Sequence, residues 1–570
     1  MLTQGPIPRA MEEHNPKSIR HIPQQTIEII LCVVLFFITL ALTWPGLNQA
    51  AGLIGEESTR VSIAAQIAST GNLDPYWYGH PATLINYLLA LIYKASYALD
   101  GQAFTRETYI KDHEQLVTLG RLISRIIAAL CAPMIYLMSR TIFPIRWALL
   151  ATAMTIFNPL FITHSHRARS DHLLTLILLS SGLITASKAS IKQKLIPLSI
   201  LSGLGLTFKY LAASVFASTQ LLIGLSSSLT RKQKLVNSLK SVSIFASTIL
   251  LTSPYLYLRW QTAYLHFSGE VNKKSNWAPL AALKKFLLIN AYGYSVTGIL
   301  LLLGLALMLL ALQRSNFQQA VRRSLNPHRF IGIAIIYAPF IGIGFAASTY
   351  NSTWLTPALP FVSACITGIL KIGVDSTATK SKRALRIVSL ITIAAIATSQ
   401  AKKTWAIHQL RVQNGSTRNA EAWLKSQETS TVQTILFLHP KDSQDAAGAF
   451  PRFNRQRYQA FIAAENGIIR RICSNSPYDW INDNPSKHLI HCECFPQPVY
   501  SSKSHKTIEE LVQEFDFVIT SERYRESLPE STEKEIVFSA PRNIVALNYS
   551  KFNFPQGDSG AWKTIIVYRR

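Results

Sequence analysis

The apolar residues of this chain come in blocks. Runs at 29–44, 118–138, 147–163, 173–187, 241–258, 297–313, 330–348 and 387–398 are long enough, or nearly so, to cross a hydrocarbon core of about 30 Å. A 570-residue chain that is 48% hydrophobic and only 15% charged is too apolar for an ordinary soluble multidomain protein. It reads as a polytopic α-helical membrane protein. A net charge of +26 would point to nucleic acid in a soluble chain. Here the basic residues fall in short connectors between the apolar runs, which the positive-inside rule explains with no nucleic-acid partner.

Those connectors give the topology. They are Arg140/Arg146, Lys188/Lys192/Lys194, Arg231/Lys232/Lys234/Lys240, Arg314/Arg322/Arg323/Arg329 and Lys380/Lys382/Arg383/Arg386. Placing all of them in the cytoplasm leaves 164–172, a turn near Phe208-Lys209-Tyr210, 259–285 and 349–354 outside. Segment 81–98 contains Asn86, Tyr87, Tyr93, Lys94 and Tyr97. That composition suits a helix lying at the membrane interface, so the first external loop runs over 45–117. The resulting layout is a cytoplasmic segment 1–25, a transmembrane domain 26–403 of about eleven helices, and a soluble extracytoplasmic domain 404–570. The first apolar run is read as an uncleaved span, not a signal peptide, because it supports the loop that follows.

The C-terminal part alternates β-rich runs with helical patches at 419–426 and 507–514, which predicts a small α/β domain. Its β-rich runs are Thr434–Leu438, Phe517–Thr520, Ile536–Phe538 and Thr564–Tyr568. It shows no nucleophile elbow, P-loop or dinucleotide fingerprint. Cys32, Cys131 and Cys365 lie in apolar segments as packed hydrophobes. Cys473, Cys492 and Cys494 allow one disulfide in an oxidising compartment.

Chemistry-bearing residues cluster in the external loops. Glu56 and Glu57 stand directly after the first apolar run, where a carboxylate pair is costly and therefore often functional. They open a short amphipathic helix through Val61, Ala64, Ala65 and Ala68 that stops at Thr70-Gly71. The Pro75–Tyr78 run after it has the aromatic composition of a membrane boundary. Run 147–163 is followed by His164-Ser165-His166-Arg167-Ala168-Arg169-Ser170-Asp171-His172, read by itself as a solvated helix end at the external surface. Its histidines allow a divalent metal, although no H-x-x-x-H spacing is present. Lys209, a cation between two short apolar segments, either snorkels or meets an anion. The 259–285 stretch, with His266, Glu270, Lys273, Lys274 and Trp277, has the mixture expected around an anionic lipid headgroup.

The acidic pair, the Gly fifteen residues on, the aromatic-Pro stretch and the segment after it resemble the first external loop of the GT-C membrane glycosyltransferases. Among these, the protein O-mannosyltransferase-like enzymes and the lipid A aminoarabinose transferases are the families in view. The resemblance implies that Glu56, where those enzymes usually carry Asp, is the catalytic base, with Glu57 beside it. It also implies that Asp171 faces this acid across the site, and that Lys209, Arg167 and Arg169 hold donor phosphate. His80 stands in Gly79-His80-Pro81, where the lipid A enzymes have Glu-Lys-Pro. Tyr350 precedes Pro357-Ala358-Leu359-Pro360, resembling the family's Arg-Tyr-x-x-Pro turn. His80, His266, Glu270 and Tyr350 are accordingly substrate-binding candidates.

The implied activity is transfer of a sugar from a polyprenyl-phosphate donor to a hydroxyl of a lipid, glycan or protein, with inversion. It would take place at the outer face of a cell membrane, such as a bacterial inner membrane. No cofactor is required by this reading, and a divalent metal stays an option. A secondary transporter and a non-catalytic envelope-assembly protein are the competing readings. The acidic residues cluster in loops and no repeat is evident, which weighs against transport.

Overall fold

The structure is a computed structural model. It describes residues 23–47, 56–76, 82–105, 112–272, 279–310, 324–346, 355–375 and 382–412, a few isolated positions beside them, and six strands after residue 432. Its helices are α1 Gln24–Thr43, α2 Glu56–Thr70, α3 Thr83–Leu99, α4 His113–Ile142, α5 Ile145–Ile156, α6 Pro159–Ser165, α7 Asp171–Ala186, α8 Ile191–Phe208, α9 Ala213–Leu225, α10 Arg231–Thr252, α11 Tyr255–Leu258, α12 Trp260–Asn272, α13 Pro279–Tyr294, α14 Val296–Leu310, α15 Pro327–Ala346, α16 Leu359–Asp375 and α17 Lys382–Val412.

Among the described residues five helices are long and apolar enough to cross a membrane: 24–43, 115–142, 231–252, 356–375 and 383–408. Two bent pairs, α5 with α6 and α13 with α14, raise this to seven, and 83–99, 171–186 and 210–225 are shorter apolar helices. The expected run 147–163 is therefore not one straight span. Proline at 159 supplies no N–H to the preceding turn, and the axis bends by 57°. Asn158 restarts the helix by accepting the Leu160 N–H at 3.0 Å. The second pair bends by 110° at Ser295, whose φ is +71°. The stretch expected as an external loop at 259–285 is largely helical, being occupied by α12 and the start of α13.

Some polar groups in the spans are satisfied within their own helix and others by a neighbouring one. The Thr39 and Thr43 hydroxyls donate to the carbonyls of Leu35 and Thr39, at 2.8 and 2.9 Å. Glu28 near the start of α1 pairs with Arg140 at the end of α4, 2.9 Å apart. Ser190 with Gln193, and Thr230 with Gln233, form capping boxes that start α8 and α10 next to two of the basic connectors.

Among the described residues two large apolar cores result, beside a small cluster of Leu195, Ile223 and Leu229. The larger runs through the bundle, including Ile135, Leu178, Tyr337 and Leu370. The smaller lies where α2 and α3 of the first loop dock on the start of α4, and it holds Val61, Ile63, Ile85, Leu89, Tyr93, Leu116 and Ala168. Ile85 and Leu89 are each 1% exposed, and burying such a side chain contributes about 1.5–3 kcal/mol. Tyr93 adds a hydrogen bond from its hydroxyl to the Leu116 carbonyl at 2.9 Å. Segment 83–99 is thus packed against the protein on one side, with Leu88, Leu91 and Leu99 exposed on the other, the amphipathic character expected of an interfacial helix.

The strands are β1 Gln433–His439, β2 Tyr458–Ala464, β3 Ile469–Arg471, β4 Phe517–Ser521, β5 Glu533–Phe538 and β6 Ile565–Arg569. They form one mixed sheet in the order β3-β2-β1-β4-β6-β5, with β1 parallel to both β2 and β4 and the other pairs antiparallel. The helical patches expected at 419–426 and 507–514, and Cys473, Cys492 and Cys494, lie outside the described residues. Helix α17 continues past residue 403, where the sequence placed the end of the transmembrane part.

Candidate active site

The chemistry-bearing residues meet where α2, the start of α4 and the α6–α7 turn converge. Glu57, in the first turn of α2, is 2% exposed. Its two oxygens accept from Arg121 Nε and Nη2, each at 2.9 Å, and Oε1 also accepts the Ala168 N–H at 3.0 Å. This bidentate geometry is the strongest form of carboxylate–guanidinium contact. Burial by itself pushes the Glu57 carboxyl up; the Arg121 charge and hydrogen bonds, the Ala168 N–H and the nearby Arg167 charge outweigh it and hold the group below the usual carboxylate range. The close approach depends on Gly120, where an added Cβ would stand 2.9 Å from Ala168 Cβ.

One turn further along α4, Arg125 joins three pieces of chain. It donates to the carbonyls of Trp44 and Pro45 just after α1, and its Nη2 lies 3.0 Å from His166 Nδ1. Ser124 Oγ accepts the Arg169 N–H at 3.3 Å. The polar face of α4, Arg121 to Arg125, therefore holds the first loop on one side and the 166–169 turn on the other.

The sequence reading of 164–172 as a solvated helix end is overturned. His164, Ser165, His166, Ser170, Asp171 and His172 are at most 2% exposed, and Arg167 and Arg169 are each 8% exposed. The turn is enclosed by α4 through Ser124, Arg125 and Cys131, by the Phe208–Lys209 turn, and by α2 through Glu57. Asp171 starts α7, where the helix dipole favours a negative charge. It pairs with Arg169 Nε at 3.2 Å through one oxygen and with Lys209 Nζ through the other.

Lys209 occupies the expected turn. It is an extended residue between α8 and a single 3₁₀ turn, Tyr210–Ala212, and it is 5% exposed. It does not snorkel to an interface. Next to it, Tyr210 donates from its hydroxyl to the Tyr78 carbonyl at 2.6 Å.

Tyr78 is the hub of the outer rim. Its hydroxyl donates to Asp74 Oδ1 at 2.6 Å and its N–H donates to His266 Nδ1 at 3.2 Å. The two rings stack with centroids 6.0 Å apart. Asp74 Oδ2 lies 3.3 Å from Arg259 Nε, whose side chain is 57% exposed. The loop after α2 is thereby tied to α12. Burial lowers the His266 pKa, in keeping with its role as an acceptor.

The structure thus brings Glu57, Arg167, Arg169, Asp171 and Lys209 into one buried region and places His266 at its rim. Glu56 begins α2, but its side chain lies outside the described residues, as does that of Glu270; His80 and Tyr350 lie outside them altogether. Arg121, Arg125, Asp74, Tyr78 and Tyr210 are contributors not singled out as site residues from sequence. The i, i+4 arginines opening an apolar span were the visible signal for the first two. Among the described residues no three His, Cys, Asp or Glu side chains are grouped to hold a metal.

Comparison with known proteins places these residues in context. Residues 111–258, which contain Arg121, Arg125, the 164–172 turn and Lys209, match the model of the dolichyl-phosphate-mannose-protein mannosyltransferase family. Solved structures similar to this chain include ArnT from Cupriavidus metallidurans in its apo and undecaprenyl-phosphate-bound states. Each has 12% identity and a TM-score of 0.45, over 95% of this chain and 97% of that one. Another is the oligosaccharyltransferase AglB from Archaeoglobus fulgidus in complex with an inhibitory peptide and a dolichol-phosphate, at 11% identity and a TM-score of 0.42, over 88% of this chain and 70% of that one. No curated protein sequence matches. The GT-C resemblance first met in the external loops is therefore supported by a family match over residues 111–258, and this chain resembles the dolichyl-phosphate-mannose-protein mannosyltransferases in the segment that supplies Arg121, Asp171 and Lys209.

Proposed function

We propose that this protein is an integral-membrane glycosyltransferase. It takes a sugar from a polyprenyl-phosphate donor and passes it to a hydroxyl of a lipid, glycan or protein acceptor at the outer face of the membrane. The observation that carries this reading is the buried Asp171–Lys209–Arg169 cluster beside the Glu57–Arg121 pair, within the segment that matches the mannosyltransferase family.

The division of labour follows from the partners. Glu57 is committed to Arg121 and the Ala168 N–H and has a depressed pKa, so it is a poor proton acceptor and serves to position the turn. Glu56, its neighbour, is the base. The acceptor oxygen attacks the anomeric carbon as the bond from that carbon to the phosphate oxygen breaks. The acceptor's proton passes to the Glu56 carboxylate, and configuration inverts because attack comes from the face opposite the leaving group. Negative charge gathers on the departing lipid phosphate, where Lys209, Arg169 and Arg167 stabilise it. A lipid-linked donor fits a site buried among apolar helices, since its tail stays in the bilayer.

Many secondary transporters use carbonyls freed at broken helices to hold a coupling ion. At the two breaks in this fold, four such carbonyls are instead met by side chains of α17.

The test is single-turnover transfer from a radiolabelled polyprenyl-phosphate sugar by the purified protein, with and without a chelator. Glu56→Gln lowers the rate by about 10²–10⁴-fold with donor binding intact. Full activity in that variant removes Glu56 as the base, and no transfer to any hydroxyl acceptor removes the reading.

A further inference from the structure

The two bent spans break side by side. An added Cβ at Gly293, before the second break, would stand 2.6 Å from Asn158 Nδ2 at the first. Each break releases backbone carbonyls that a continuous helix would have used, and in a low-dielectric interior a carbonyl left without a donor is destabilising. Four of the carbonyls at the two breaks are met by one helix. Gln400 Nε2 donates to the Met154 carbonyl at 2.9 Å and to the Gly293 carbonyl at 3.2 Å. Lys403 Nζ donates to the Tyr292 carbonyl and lies 4.4 Å from the centroid of that tyrosine's ring. Thr404 Oγ1 donates to the Phe157 carbonyl at 3.0 Å. Residues 400, 403 and 404 share one face of α17 by the i, i+3, i+4 rule. Gln400 is 3% exposed and Thr404 8%.

What lies downstream gives this junction a role. From the break at Asn158 only the seven-residue α6 intervenes before the turn that carries Arg167, Ala168, Arg169 and Asp171. The direction in which α6 leaves the 57° bend decides where the Ala168 N–H and the Asp171 carboxylate arrive. We propose that Gln400, Lys403 and Thr404 are positioning residues that set the aim of the 167–171 turn by fixing both helix breaks from the last span. This inference rests on the reading of that turn as catalytic.

The experiment has one arm that needs no activity. Hydrogen exchange of the peptide covering 159–172 is compared in the full-length protein and in Thr404→Val, Thr404→Ser and Gln400→Met. Thr404→Val removes the hydrogen bond and keeps the shape, whereas serine retains the hydroxyl. Exchange in 164–171 speeds up in the valine and methionine variants and returns to the parent rate with serine. In single-turnover transfer the same two variants lose about 10–100-fold in rate, with donor Kd changed by less than about twofold, because misplacing reacting groups costs rate more than binding. Ser199→Ala is the control, since it removes a buried 2.8 Å contact to Ser241 away from the breaks; its transfer rate stays at the parent value. Unchanged exchange in Thr404→Val overturns the proposal. So does an equal loss of rate in Ser199→Ala. Absence of transfer in the parent protein overturns the functional reading alone, and the exchange arm then decides the positioning claim.

Discussion

Glu57 and Arg121, 64 positions apart, form a bidentate buried pair in which both carboxylate oxygens are taken by the guanidinium at 2.9 Å. Breaking a buried pair by removing one partner costs about 3–5 kcal/mol, because the other charge is stranded. Glu57→Gln is therefore expected to lower melting temperature and yield in detergent, and Arg121→Met to do the same. Glu56→Gln, one residue earlier, is expected to melt like the parent and lose turnover. If the two glutamine variants behaved alike in both assays, the separation of a structural from a catalytic carboxylate would be wrong.

The Asp171–Lys209 pair makes the second prediction. In the sequence Lys209 is a cation between two short apolar segments, with no partner in view. In the structure it shares Asp171 with Arg169. Lys209→Met is expected to impair donor binding and also to destabilise, by less than the cost of a fully stranded charge, about 3–5 kcal/mol, because Arg169 still pairs with Asp171. Adding Asp171→Asn should recover part of that stability and none of the donor binding. A coupling between the two substitutions close to zero in melting experiments would show that the pair is not formed.

How far the sequence reached depends on whether an interaction is local. Apolar blocks, basic connectors and the β-rich runs Thr434–Leu438 and Phe517–Thr520 carry their own signals, and the described helices and β1 and β4 match them. Lys209 was visible because a charge between apolar segments needs a reason. The bend at Asn158 was announced by Asn-Pro, but the apolar composition on both sides concealed it. Burial of 164–172 was not legible at all, because it is produced by partners distant in sequence, Glu57 of α2, Ser124 and Arg125 of α4 and Lys209, which enclose a polar turn. The roles of Gln400 and Thr404 were hidden for the same reason: a lone glutamine in an apolar helix gives no sign of the carbonyl it meets some 246 residues away.

The rim contact between Tyr78 and His266 is expected to respond to pH. His266 Nδ1 accepts the Tyr78 N–H, which requires the neutral ring, and burial places its folded pKa below the ordinary value of about 6.5. As pH falls below 6.5 the unfolded chain takes up a proton that the folded chain resists, so stability drops through the window between the unfolded and folded values. His266→Asn offers an oxygen near the Nδ1 position and cannot titrate. Melting curves at pH 8 and at pH 5.5 should separate for the parent and move together for the asparagine variant, apart from background common to both. An identical pH response in the two proteins would remove His266 as the titrating group.

The sidedness of the chain is testable by labelling, and burial dictates which positions can report it. Ser170, in the middle of the expected external turn, is fully buried, so a cysteine there would be protected on either side of the membrane. Gln102 in the first loop and Ser227 between α9 and α10 are exposed. Ser227 lies four residues before Arg231, which begins the basic connector containing Lys232, Lys234 and Lys240, and such connectors are retained in the cytoplasm. Gln102 lies in the segment between the first and second long apolar helices, on the same side as α2 and α3. A membrane-impermeant maleimide applied to intact cells should therefore label Gln102→Cys and leave Ser227→Cys unlabelled until the membrane is opened. Labelling of Ser227→Cys with protection of Gln102→Cys would invert the molecule, placing the Glu57–Arg121 and Asp171–Lys209 clusters toward the cytoplasm and ruling out a donor presented at the outer face.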